Sequence, residues 1–245
     1  MATDILTLEE VVAGYGKMTI LHGTTCSVAR GAITTVIGPN GAGKSTMFKT
    51  VFGMLPARSG RILFEGAEIT NLTPRELLAR GVSYVPQGRN IFPELSVRHN
   101  LELGAVMAPA GFDLAGRLEA AMARFPVLRR KADQQASTLS GGEQKMLEIA
   151  RSLLLEPKLM LIDEPSIGLS PIMVNELFMI LTEMRDRGTT VLLIEQNAKR
   201  ALESSDYGIV LELGRTRIAD TARNILADPR IGQLFLGGGL QEKVA

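Results

Sequence analysis

The run Ile33-Thr34-Thr35-Val36-Ile37-Gly38-Pro39-Asn40-Gly41-Ala42-Gly43-Lys44-Ser45-Thr46 decides how the chain is read. Its first five residues are all β-branched and form a short strand. After Lys44, the apolar residues Met47, Val51 and Met54/Leu55 recur at helical spacing. Between strand and helix, the stretch from Gly38 through Pro39, Asn40, Gly41, Ala42 and Gly43 is glycine-rich. Its backbone can curl until successive N–H groups point inward, a cup for anionic oxygens. The next helix aims the positive end of its dipole at the same point. Lys44 then reaches the outer phosphates of a nucleotide, Ser45 offers a hydroxyl to Mg2+, and Thr46 can bond the innermost phosphate.

At 245 residues the chain has room for one large α/β domain or two small ones. With 45% hydrophobic and 22% charged residues, its composition is that of an ordinary soluble globular protein. A net charge of +1 supplies no general attraction to nucleic acid or to an anionic membrane. The absence of Trp and the presence of three Tyr leave no aromatic platform for single strands. No apolar stretch approaches the roughly 20 residues that span a bilayer. Met1–Glu10 lacks the basic and apolar regions of a secretion signal. Cys26 is alone, which rules out an internal disulfide, and reads as a small strand residue within Thr24–Val28.

Strand-like runs occur at Leu6–Val12, Thr24–Val28, Ile33–Ile37, Arg61–Phe64, Val82–Val85, Leu159–Ile162, Thr190–Ile194 and Ile209–Leu213. The later ones are continuous and apolar, as parallel strands covered on both faces should be. Helical patterns lie between them at Lys44–Leu55, Gly141–Leu155, Pro171–Asp186 and Ala198–Ser204. This alternation predicts a parallel α/β core. From Gln87 to Leu155 the chain carries helical patterns at Val97–Val106 and Leu114–Phe125 and no convincing strand. That stretch reads as an inserted helical subdomain, with Ser96 as an N-cap. Gly237-Gly238-Gly239 and the polar end of the chain read as a frayed tail.

Two further segments carry chemistry. Leu159-Met160-Leu161-Ile162-Asp163-Glu164-Pro165 is a buried strand ending in two carboxylates and stopped by proline. Alternation along a strand points Asp163 and Glu164 in different directions. One can then hold a Mg2+ shell while the other faces an attacking water, with Glu164 as base or water-orienting group. Leu139-Ser140-Gly141-Gly142-Glu143-Gln144 opens a helix whose apolar face is Met146, Ile149/Ala150 and Leu153/Leu154. Ser140 with Glu143 forms a capping box, which accounts for those two residues. Gly141 and Gly142 weaken a helix start without improving its cap, and would admit a phosphate to the exposed N–H groups. The chain therefore owns two anion-binding helix starts, more than one nucleotide obviously needs.

Leu139–Gln144 resembles the signature motif of ATP-binding-cassette (ABC) ATPases, and Leu159–Glu164 resembles their Walker B segment. The resemblance runs from Leu6 to about Leu236. It implies a P-loop NTPase of the ABC type: a mainly parallel core sheet, an N-terminal antiparallel β part and an inserted helical subdomain. The core would comprise about 1–87 and 156–236, the helical subdomain about 88–155, and the tail 237–245 of a single ABC ATPase domain 1–245. It implies ATP and Mg2+ as ligands. It also implies head-to-tail pairing of two cassettes, in which Ser140, Gly141 and Gly142 cover the nucleotide of the partner. By the same resemblance Tyr15 stacks on adenine, and Gln87 contacts Mg2+ and water with Ser45 and Asp163. Lys44 and Glu164 carry catalysis, and Gln196 occupies the family's switch position.

Two departures narrow the reading. Gln196 stands where the family has a His; its amide can donate to a γ-phosphate but cannot titrate near neutral pH. Ser170 stands where the loop after Walker B usually carries Asp, which affects communication between the sites. Gly168-Leu169-Ser170-Pro171, Leu192–Ala198, Ala227-Asp228-Pro229 and Leu236-Gly237-Gly238 are similar to the second ATPase subunit of branched-chain amino acid importers. Importers of urea and short amides share these motifs. That resemblance implies a second ATPase subunit, a membrane permease and an external solute-binding protein as partners, with the chain peripheral on the cytoplasmic face of the plasma membrane. The rivals are a lipid or lipopolysaccharide exporter ATPase, where a His is usual at 196, and a soluble ABC ATPase acting on DNA or ribosomes. The single P-loop and short Lys44–Ser140 spacing oppose the last, as does the lack of a basic groove. His22 and His99 lack metal-ligand spacing, and the Met residues, including Met146, Met160, Met179 and Met184, read as core fillers. Arg124, Arg129, Arg130 and Lys131 read as a solvated face, or as a contact to a nucleotide or permease.

Overall fold

The computed structural model describes residues 3–229 and 231. The expected tail and the Leu236–Gly238 motif lie outside them. In chain order the elements are β1 (Asp4–Tyr15), β2 (Met18–Ala29), β3 (Ile33–Ile37), α1 (Lys44–Val51), β4 (Ala57–Phe64), β5 (Ala67–Glu68), α2 (Pro74–Arg80) and β6 (Val82–Val85). Next come α3 (Val97–Glu102), α4 (Leu114–Arg124), α5 (Pro126–Arg130), α6 (Gly141–Leu153), β7 (Leu159–Asp163), α7 (Pro171–Asp186), β8 (Thr190–Ile194), α8 (Ala198–Glu203), β9 (Tyr207–Glu212), β10 (Arg215–Thr221) and α9 (Ala222–Ala227).

The strands form two sheets. An antiparallel one has the order β2-β1-β4-β5, and a second has the order β10-β9-β3-β8-β7-β6. In the second, β9, β3, β8, β7 and β6 are parallel and β10 joins the edge antiparallel. Every residue of β3, β7 and β8 is buried. Alternation then divides their side chains between two cores. Val36, Leu159, Leu161, Leu192 and Ile194 pack with α1 and the antiparallel sheet. Ile33, Met160, Ile162, Val191 and Leu193 pack with α6, α7 and the helices before α6. Burial on both faces is what their continuous apolar character requires.

Among the described residues no strand lies between β6 and β7; the nearest approach is one isolated bridge, Ser96 to Gln135. The expected helix Lys44–Leu55 ends at Val51, because Gly53 turns the chain at φ 69° where a Cβ would sit 2.0 Å from the Leu72 carbonyl. The expected helix Val97–Val106 tightens after Glu102 into a 3-10 turn, Leu103–Ala105. There Gly104 lies so near α6 that a Cβ would stand 2.3 Å from the Arg151 carbonyl. Strand β10 has no apolar run, since an edge strand pairs through its backbone while its side chains stay wet. Helix α2 announces itself by a Thr73–Glu76 capping box with Pro74 at its first position, yet buries only Leu77.

Candidate functional site

The site collects at the carboxyl ends of four adjacent parallel strands, β3, β8, β7 and β6. Open parallel sheets place ligands at such ends, where the strand order reverses direction. From β3 issues the glycine loop. A Cβ on Gly38 would stand 2.1 Å from the Leu211 carbonyl of β9, so the chain leaves the sheet there only as glycine. Gly43, at φ 101°, precedes α1, and no side chain caps that helix. Its first-turn N–H groups are thus left to an anion. Pro39, Asn40 and Gly41 are at the rim, while Ala42, Gly43 and Lys44 are buried. Lys44 Nζ donates to the carbonyls of Gly38 (2.8 Å) and Pro39 (3.1 Å). Burial lowers the Lys44 pKa, against the pull of Glu164 and Asp163. Tyr15 is half exposed at the end of β1, with Lys49 of α1 5.9 Å from its ring centre.

From β7 come the carboxylates, and they do diverge. Asp163 is almost fully buried; its Oδ2 accepts from Tyr84 (3.4 Å), and the nearby Ser45 hydroxyl works against the burial that raises its pKa. Its Oδ1 is buried without a hydrogen-bond partner among the described residues. Glu164 turns out of the strand at φ 48°, and its N–H donates to the Ile194 carbonyl (2.9 Å). Its Oε2 accepts from Gln87 Nε2, beyond β6, at 2.7 Å and from Gln196 Nε2, beyond β8, at 3.1 Å. Burial raises both carboxyl pKa values; for Glu164 the Asp163 charge adds to it. Two desolvated acids side by side favour a cation. The orphaned Asp163 oxygen and the Ser45 hydroxyl are hard oxygen donors that fit Mg2+, which takes one or two carboxylates and otherwise oxygen ligands.

Lys44, Ser45, Gln87, Asp163, Glu164 and Gln196 are therefore brought together. Ser140, Gly141 and Gly142 are not: among the described residues no hydrogen bond joins them to this cluster. Ser140 Oγ accepts from the Glu143 N–H while Glu143 Oε2 accepts from the Ser140 N–H, the full capping box. Gly142 is buried, and a Cβ there would stand 2.5 Å from the end of the flexible Met173 side chain of α7, which would have to shift to admit it. Gly141 is exposed with nothing near a Cβ, and no internal contact explains it.

Some contributors escape sequence reasoning. Tyr84 supports Asp163, and its only signal is a phenol within a short buried strand. Glu195 is buried and accepts from the Ser166 N–H (3.0 Å) and hydroxyl (2.6 Å), fastening the loop after Glu164 to the residue before Gln196. Ser170 caps α7 through the Met173 N–H, a task an Asp would also perform. The basic cluster is not uniformly solvated. The Arg124 side chain is 14% exposed because it turns to pair with Glu183 of α7; Lys131 binds Glu143 at the start of α6. Met179 is 71% exposed, against its expected place in the core, since it lies on the outer stripe of α7. Cys26 is buried, which pushes its thiol up to about 12 and leaves it a packing residue. His22 and His99 are exposed, and no metal-binding cluster of His, Cys, Asp and Glu occurs among the described residues.

Comparison with known proteins bears on the family and the fold. The family model described as ABC transporter matches residues 21–167. The chain is 41% identical over 234 residues to the high-affinity branched-chain amino acid transport ATP-binding protein BraG of Pseudomonas aeruginosa, covering 96% of this chain and all of that one. It is 33% identical to the lipopolysaccharide export system ATP-binding protein LptB of Escherichia coli, covering 97% and 98% of the two chains. The solved ADP conformation of an ATP-binding cassette of an ABC transporter superposes with a TM-score of 0.84 at 32% identity, over 96% of this chain and 99% of that one.

Proposed function

This chain belongs to the ABC transporter family and is an ATP-hydrolysing cassette, and from that premise we propose that it powers import of branched-chain or related amino acids through a membrane permease. One observation carries the hydrolytic part: a phosphate loop, an acid pair and two amides stand at the same end of four adjacent strands. ATP sits on Gly38–Thr46, with Lys44 against its outer phosphates and Tyr15 against its base. Ser45, Asp163 and Gln87 would hold Mg2+, which when bound offsets phosphate charge. Glu164 aligns the attacking water, and the Gln87 and Gln196 amides fix its carboxylate in place. The counterpart of Ser140–Gly142 on a second cassette closes the site.

Among the described residues, we take those up to about 87 and from about 156 onward as the core, and about 88–155 as the helical subdomain. Between them opens an apolar groove of about 380 Å3 lined by Phe52, Tyr84, Phe92, Val106, Met107 and Leu155. Phe92 and Val106 are 51% and 75% exposed there, and the groove adjoins the loop that carries Gln87. We assign it to a loop of the permease, so that closure at Gln87 reaches the membrane partner. Among the described residues no helix is long and apolar enough to cross a membrane, which fits a peripheral subunit held by that contact.

Import is favoured by the 41% identity to an amino acid transport protein and by the Glu195-Gln196-Asn197 sequence. Likeness to a lipopolysaccharide export protein supports the second reading. The test is ATP turnover of the chain reconstituted with its permease, second ATPase subunit and solute-binding protein. External leucine, isoleucine or valine should raise it, whereas urea, short amides and lipopolysaccharide should not. Stimulation by lipopolysaccharide alone would establish the exporter reading instead.

Gln196→His is expected to add a pH-dependent step to turnover near neutrality. The imidazole would lie beside the Glu164 carboxylate, which favours its charged form and raises its pKa. The parental pH profile carries no step from this position. An unchanged rate and profile would deprive residue 196 of a part in turnover.

A further inference from the structure

The segment after Gln87 is fastened by charged side chains buried in the protein interior. Lys145 and Glu148 of α6 are 8% and 2% exposed and pair at 2.5 Å. Lys145 Nζ also donates to the Gly88 carbonyl at 2.9 Å, and Glu148 Oε1 accepts from the Asn90 N–H at 2.5 Å. One turn on, Arg151 donates to the Asn90 carbonyl. Three residues at three-residue spacing on one helix thus hold both polar ends of a loop whose preceding residue touches Glu164. Beyond them Asn100 of α3, wholly buried, exchanges two hydrogen bonds with the Phe92 backbone at 2.8 Å each.

An apolar pair would fill this space at lower desolvation cost, since a buried ion pair rarely adds stability over a hydrophobic replacement. The charges are arranged to match the loop: the cation faces a carbonyl and the anion faces an N–H. Helix α6 is the one that opens with Ser140, Gly141 and Gly142. We propose that Lys145 and Glu148 are positioning residues that hold Gln87 against Glu164 through the Gly88 and Asn90 backbone, so that a shift of α6 is felt at the hydrolytic carboxylate. This rests on the assignment of Gln87 and Glu164 to ATP hydrolysis.

The test is a thermodynamic cycle on the full-length chain in its assembled transporter. Lys145→Met/Glu148→Leu removes both charges at similar volume. It should keep the Tm and leave the KM for ATP within about threefold, because the phosphate cup is untouched, while kcat falls about 10- to 100-fold, the scale on which an ångström of misplacement is felt. Gln87→Ala is then made in the parental and in the double-variant backgrounds. If the pair acts through Gln87, the second loss is absorbed and Gln87→Ala costs less than about twofold in the variant background. A parental kcat in the double variant, or losses that multiply, would overturn the proposal. Should the double variant not fold, Arg151→Met, which cuts the tie to the Asn90 carbonyl and the cation's contact with the Phe92 ring of the same segment, takes its place in the cycle and is read the same way. Glu164→Gln serves as control: turnover retained there removes the hydrolytic assignment itself, whereas turnover lost there with multiplying losses removes only the positioning role.

Discussion

Glu164→Gln is expected to lower ATP turnover by about 10²- to 10⁴-fold, the usual contribution of a positioned general base, and to leave ATP affinity close to parental. The substitution keeps the shape of a side chain that is buried and held by two amides. Its new carbonyl can still accept from Gln87 or Gln196. The lost negative charge had been disfavoured by burial and by Asp163, so its removal relieves the site and the Tm should not fall. What disappears is the ability to draw a proton from water. Phosphate release measured beside binding of a fluorescent ATP analogue separates the two quantities. Parental turnover in this variant would remove Glu164 from its assigned part.

Lys44→Met is expected to weaken ATP binding about 10- to 100-fold, the range for losing a hydrogen bond to a charged group at roughly 1.5–3 kcal/mol. Lys44 meets the Gly38 and Pro39 carbonyls, and its charge, joined by that of Lys49 at Asp163, works against the burial that raises the pKa of Asp163 and Glu164. Methionine fills the same stem volume, so packing beneath α1 is retained. The phosphates lose their point charge, and the two carboxylates lose a counter-charge in the nucleotide-free chain. Because Lys44 holds the bound phosphates and holds them more tightly as charge shifts during transfer, KM rises and kcat falls together, unlike the pure turnover loss of Glu164→Gln. An unchanged KM would show that the backbone cup alone holds the nucleotide.

Much of this was legible because the chemistry lies where local rules are strongest. The strands β3, β6 and β8 run where their β-branched and aliphatic residues place them, and Pro171–Asp186 is helical to the residue. Each is either buried on both faces or long and periodic. Gly38–Thr46, Asp163 and Glu164 were readable from the residue types a phosphate and a cation demand. What escaped depends on contacts distant in sequence. The Glu195 bond to Ser166 joins residues 29 apart, and Glu148 reaches the Asn90 backbone across 58. Nothing in the runs around 145–151 distinguishes a buried charged face from a wet one, since period 3.6 is shared by both. Gly142 shows the converse: a residue that looked reserved for phosphate also makes room for Met173.

The lone antiparallel strand at the margin of the second sheet also bears on how two copies of the chain can associate. Strand β10 exposes Arg215 and Asp220, and its Arg217 is bound to Glu212 of β9. Charged side chains along an outer strand work against the addition of a further strand. A second molecule that tried to lengthen the sheet there would meet fixed charge along the seam. Charge on this seam thus guards the sheet against being lengthened, copy by copy, into a ribbon.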